Sequence, residues 1–150
     1  MSKVILNISG TQSYRQDEES TEMTVVGELL REEDNYILTY PDGADCETTI
    51  CVTPHGAVEV SKESPGDDES YQMIFEQSKT FSSYYDTPFG KTDALIFPTL
   101  VDAQMCDNAG SIELEYVVRV LGQQIINQRS LTYARDNYQQ TLTGENRNEN

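Results

Sequence analysis

The side chains of this 150-residue chain that could do chemistry are few: three cysteines, one histidine, several groups of carboxylates, and a set of tyrosines, phenylalanines and methionines. His55 stands alone in a Pro54-His55-Gly56 turn, so no second imidazole is at hand for a His-based metal site or a paired general base. Cys51 falls mid-segment between Thr49 and Thr53, with no histidine within the segment to take its proton, and reads as a buried structural thiol. Cys46, Cys51 and Cys106 are odd in number and lack metal-type spacing, which predicts reduced, partly buried thiols rather than a disulfide framework. Asp42, Asp45 and Glu47, and separately Asp67, Asp68 and Glu69, offer oxygen ligands without the spacing of a helix-loop-helix calcium site, so they read as solvated acidic turns. Glu113 and Glu115 share one strand face as an acid and base pair would, but that face is expected to be the wet, outer one. Neither a Gly-x-Ser-x-Gly elbow nor a phosphate-binding or dinucleotide glycine loop occurs. The expectation is a protein that is not an enzyme, with no metal and no cofactor.

The apolar set admits two uses. Tyr36, Tyr40, Phe75, Phe81, Tyr85, Phe97 and Tyr116 can simply fill a core, because aromatic rings bury large areas. They can also line a cavity, with tyrosine hydroxyls fixing the polar end of a ligand and Met23 and Met73 adapting to its apolar part. On the second reading the candidate ligand-binding residues are Tyr36, Tyr40, Met73, Phe75, Tyr85, Phe97 and Tyr116.

Extended segments must position these residues. Val4, Leu6 and Ile8 alternate with Ile5, Asn7 and Ser9, the period of a strand, and the polar stretch from Gly10 to Ser20 is expected to end it. Glu22 to Arg31 puts Met23, Val25, Gly27 and Leu29 on one face; a helix is the rival, but β-branched Thr24, Val25 and Val26 favour a strand. The acidic turn at Glu32-Glu33-Asp34-Asn35 then predicts a hairpin into Tyr36–Tyr40. Further strands follow over Glu47–Thr53 and Ala57–Ser61, and Gln72–Glu76 is expected to pair with Thr80–Tyr85 across a short turn. Pro98 cannot donate to a ladder, which places it at a strand end, an edge or a bulge of Lys91–Val101. Ile112 to Val120 is the cleanest two-faced strand, and a tight turn at Leu121-Gly122-Gln123 returns it through Gln124–Ala134, where Ile125, Asn127, Arg129, Leu131 and Tyr133 share a face. About 8–10 strands without a long helix predict an all-β domain, a closed antiparallel meander barrel, over residues 1–136, with a polar and disordered tail over 137–150.

A formal charge of −16 repels phosphate backbones and anionic headgroups, so neither nucleic acid nor a membrane is expected as partner. Met1 to Asn7 turns polar too soon for a signal peptide, and no apolar run is long enough to span a bilayer, which predicts a cytoplasmic protein.

Five stretches carry a resemblance: Ile8-Ser9-Gly10-Thr11-Gln12, Tyr36-Ile37-Leu38-Thr39-Tyr40, Met73-Ile74-Phe75-Glu76, Tyr85-Asp86-Thr87-Pro88-Phe89-Gly90 and Gly110-Ser111-Ile112-Glu113-Leu114-Glu115-Tyr116. Their order, over Lys3 to Tyr133, resembles the YwiB-like bacterial proteins, an uncharacterised family with a domain of unknown function. Pro41 and Lys62-Glu63 stand where family members often carry an acidic residue and an arginine-glycine pair. The resemblance implies a calycin-like or lipocalin-like barrel in which the first strand meets the last, and it implies no activity. Two functions fit. The first is binding of a small, partly apolar ligand in the barrel interior. The alternative is a protein-interaction module that docks a basic partner through its acidic surface or an exposed strand edge.

Overall fold

The computed structural model describes residues 2–43, 45–63, 71–87 and 90–135, with the side chains of Tyr71, Tyr85, Asp86, Thr87 and Lys91 left aside. Both the Ser64–Ser70 loop and the 137–150 tail therefore lie outside the described residues.

Ten strands run in chain order: β1 (Ser2–Tyr14), β2 (Asp17–Glu32), β3 (Asn35–Pro41), β4 (Glu47–Val52), β5 (Val58–Glu63), β6 (Tyr71–Phe75), β7 (Phe81–Thr87), β8 (Gly90–Met105), β9 (Ala109–Val120) and β10 (Gln123–Arg135). All adjacent pairs are antiparallel, in the order β6-β5-β4-β3-β2-β1-β10-β9-β8-β7. The expected meeting of first and last strand is present: β1 lies along β10 from Val4↔Arg135 to Ser13↔Ile126. Curling this meander brings its two edges, β6 and β7, together and nearly closes a barrel. Among the described residues no helix is long and apolar enough to cross a membrane.

Alternation decides what faces inward. In β9 Ile112, Leu114, Tyr116, Val118 and Val120 are buried and Glu115 and Arg119 are exposed. In β1 Val4 and Leu6 are fully buried, as is Leu38 of β3. Each large aliphatic side chain withdrawn from water in this way contributes about 1.5–3 kcal/mol. Phe75 and Tyr116 stack across the interior with ring centroids 4.7 Å apart and planes inclined at 52°.

Two expectations are corrected. The polar stretch after Gly10 is strand: β1 and β2 stay in register to Tyr14↔Asp17, because their backbone ladder continues without an apolar face to bury. The same ladder bears out the strand favoured over a helix for Glu22–Arg31. The segments Gln72–Glu76 and Thr80–Tyr85 are chain neighbours but not a ladder; β6 pairs with β5 and β7 with β8. Between them stand one Glu76↔Lys79 bridge, the Lys79–Glu76 ion pair at 2.9 Å, and a hydrogen bond donated by Ser83 Oγ to Gln72 O at 3.1 Å. Pro98 sits at a bulge, as its missing N–H requires, where the β8–β9 register slips between Pro98 and Leu100. Gln77 pins the β6–β7 turn onto that bulge, donating from Nε2 to Thr99 O at 3.0 Å and accepting the Val101 N–H at 2.9 Å.

Candidate functional site

One end of the barrel is shut by the β8–β9 turn. Tyr133, buried on β10, donates its hydroxyl to Cys106 O at 2.6 Å and accepts the Cys106 N–H at 3.2 Å. Its ring occupies the space above Gly110, where a Cβ would come within 2.5 Å of the Tyr133 ring. Arg135 N–H donates to Asn108 O at 2.9 Å, and the Arg135 guanidinium to Asn108 Oδ1 at 3.2 Å. Arg31 lies 5.1 Å over the Tyr36 ring and 3.6 Å from Asp107 Oδ1. Burial pushes the Tyr133 hydroxyl up to about 12, against the lowering effect of its hydrogen bond to Cys106.

Among the described residues, buried side chains from β1, β3, β4, β5, β8, β9 and β10 pack into the interior. A residual cavity of about 30 Å³, lined by residues including Tyr40, Ile50, Val58, Ile112 and Leu131, has room for a water molecule or two but not for a drug-sized ligand. At the opposite end the barrel opens into a cleft of about 530 Å³. Ile8 and Gly10 of β1, Met23 and Thr21 of β2, Tyr40 of β3 and Arg129 of β10 line it, with Lys62 of β5 and Asp42 just beyond β3. Ser9 and Glu22 also line it, but they are paired with each other at outward-facing positions and so contribute backbone. Ile8, Tyr40 and Arg129 border both spaces, so the small cavity lies beneath the cleft.

Strand register explains how these residues converge. Gly10 is paired with both Arg129 and Thr21. A Cβ at Gly10 would sit 3.5 Å from Arg129 Cγ and 3.7 Å from Thr21 Oγ1, so the glycine keeps the cleft open beside the arginine. Ile8 is likewise flanked by Met23, which shares the apolar floor, and by Leu131, which lines the small cavity beneath. Lys62 continues the inward face of Val58 and Val60. Its ammonium lies 3.8 Å from Asp42 Oδ2, which also accepts a hydrogen bond from buried Thr48 at 3.0 Å. A polar recess of about 100 Å³ continues from Gly10, Thr21 and Arg129 toward Gln12, Glu19 and Asn127.

Of the seven candidate residues, the six whose side chains are described stand in different parts of the barrel. Tyr40 borders the cleft, and Phe75 and Tyr116 are buried beside each other in the core. Met73 packs against that core partly buried, and Tyr36 does so at the shut end. Phe97 is on the outer face, between inward-facing Ile96 and Pro98, with Arg119 5.1 Å over its ring. Tyr85 is on β7, and its side chain is outside the described set. Sequence reasoning passed over Lys62 and Arg129, although a signal existed: each is a cation on the apolar side of an alternating strand.

The other reactive groups stay apart from the cleft. Glu113 is on the outside, accepting from Ser130 Oγ at 2.7 Å, and His55 is exposed in the β4–β5 turn at the shut end. Cys51 is partly buried, and its thiol is pushed up by burial and by Glu59 and Glu32. Cys106 is exposed, contrary to the expectation of partly buried thiols, because it belongs to the turn that covers the barrel end. Among the described residues no three His, Cys, Asp or Glu side chains converge as metal ligands would.

A family model described as a domain of unknown function (DUF1934) matches residues 6–131. The crystal structure of the ywiB protein from Bacillus subtilis is similar in fold, with a TM-score of 0.76 and 16% identity over 89% of this chain and 92% of that one. No curated protein matches.

Proposed function

The chain belongs to this DUF1934 family of domains of unknown function, and from that premise we propose that it is a binding barrel which takes a small, partly apolar ligand at its open mouth. The observation that carries this reading is the cleft of about 530 Å³, within the range of small-molecule sites, with an apolar floor of Ile8, Met23 and Tyr40 and polar groups around the rim. The small cavity beneath the cleft, of about 30 Å³, supports placing the ligand at the mouth rather than in that space. Rigid strands supply most of the lining, which limits the ordering cost of binding.

The chain has no tryptophan, so Thr21→Trp places a single indole at the cleft rim. A fragment survey followed by its fluorescence, with thermal shifts on the unmodified chain, tests the reading. Ligands that raise the melting temperature and change the indole emission are expected. Hits that stabilise the protein while leaving the indole unaffected, or no hits at all, defeat it. The rival reading, docking of a basic partner, draws support from the charge of −16 and from the strand edges that meet at β6 and β7. A salt-sensitive complex with a basic protein that leaves the indole emission unchanged is its signature.

A further inference from the structure

We propose that the outer face of β8, β9 and β10 is a contact between two copies of this chain, related by a two-fold axis that lies along the row formed by Phe97, Val117 and Ile126. It uses no residue of the cleft and stands apart from the ligand reading. Register sets Val117 directly between Phe97 and Ile126 on the neighbouring strands, all three facing outward. Ile126 is 58% exposed, and Leu95, the next outward residue of β8, is 39% exposed. Apolar side chains placed side by side on the wet face of a barrel add little to the core, and contiguous patches of this kind mark interaction surfaces.

The rows flanking this one identify a second copy as what covers it. On one side Leu95, Arg119 and Gln124 are paired across the three strands; on the other stand Leu100, Glu115 and Gln128. A half-turn about the central row, in the plane of the contact, lays that row on its own copy and exchanges the two flanking rows. Leu95 then meets the partner's Leu100, Arg119 the partner's Glu115, and Gln124 the partner's Gln128. Apolar faces apolar, cation faces carboxylate and amide faces amide, each twice over by symmetry. Within one chain Arg119 and Glu115 are four residues apart on an extended strand, about 13 Å, and among the described residues neither forms an ion pair. Arg119 is instead held 5.1 Å over the Phe97 ring, which orders its guanidinium at the contact. The net charge of −16 opposes association. At physiological ionic strength the Debye length is about 8 Å, however, so the groups bordering the contact outweigh those on the far walls. The same half-turn sets exposed Asp93 opposite the partner's Asp102, a like-charged rim pair that keeps the association weak.

Analytical ultracentrifugation of the full chain in reducing buffer is expected to show a reversible monomer–dimer equilibrium, half complete at on the order of 10–100 µM, as suits a contact at the small end of interface sizes. Ile126→Asp, at an exposed position, should weaken it about tenfold or more. Arg119→Glu and Glu115→Arg should each weaken it about tenfold, because each sets like charges against each other. An equimolar mixture of those two variants should associate as the unmodified chain does, since every cross-contact then joins opposite charges. No pairing inside a single chain produces that recovery. Circular dichroism checks that each variant folds; where a charge variant does not, the unmodified chain and Ile126→Asp still decide. A chain that stays monomeric to about 1 mM, an equilibrium unmoved by Ile126→Asp, or folded charge variants whose mixture fails to recover overturns the proposal.

Discussion

Tyr133 shows how one residue can shut a barrel. Its hydroxyl serves both backbone groups of Cys106, donating to the carbonyl and accepting from the N–H. Tyr133→Phe leaves the part-buried carbonyl without this donor, while the Cys106 N–H keeps its bond to Ala109 O at 3.2 Å, and a loss of about 1–3 kcal/mol is expected in urea unfolding. The same hydroxyl ties stability to pH. Burial disfavours the phenolate, so the folded protein holds this proton more tightly, to about 12, than the unfolded chain does near the ordinary value of 10.0. Its contribution is complete below pH 10.0 and is lost as pH rises toward about 12. An ultraviolet tyrosine titration of wild type should show a late step that Tyr133→Phe removes; a variant titrating identically would contradict this. Tyr133 was legible in sequence as a residue on the Leu131 face, but its partner was not. Cys106 is 27 residues away, and nothing local joins them.

At the scale of elements, the turn between β9 and β10 is a two-residue loop in which Leu121 and Gly122 both have positive φ, 52° and 73°. Two successive positive values suit a type I′ hairpin turn, whose first position favours asparagine and penalises a leucine. Leu121 is also 67% exposed, so it gains little from burial. Leu121→Asn is expected to raise stability by about 0.5–1 kcal/mol, read as a higher denaturation midpoint at unchanged slope. The turn itself could be read from Leu121-Gly122-Gln123, because it separates two strongly alternating runs. The extension of β1 and β2 beyond Gly10 could not: Thr11 to Ser20 has no apolar period, and its extended form comes from pairing with the neighbouring strand.

For the whole molecule, closure is uneven. β1 is laddered to β2 on one side and β10 on the other, whereas among the described residues β6 and β7 meet through one bridge and a few side-chain bonds. Edges joined so sparsely open at lower free energy than a doubly paired strand. Hydrogen exchange should therefore be fastest among ladder amides in β6 and β7 and slowest in β1 and β10. Equal protection across all ten strands would mean that the seam is as firmly closed as the rest. The same topology sets the chemistry of the mouth, since Lys62 and Arg129 belong to strands that are far apart in sequence and meet only because the sheet curls.

Alternation in the sequence determined the all-β class, most strand positions and the inward face of β9, and a missing N–H confined Pro98 to a strand end, an edge or a bulge, because each follows from the geometry of an extended backbone. Only the tertiary structure decided that Pro98 sits at a bulge, that Phe97 faces out, and that Lys62, Arg129 and Tyr40 share a cleft. Those outcomes depend on register and curvature, which place residues side by side across strands and which no local pattern encodes.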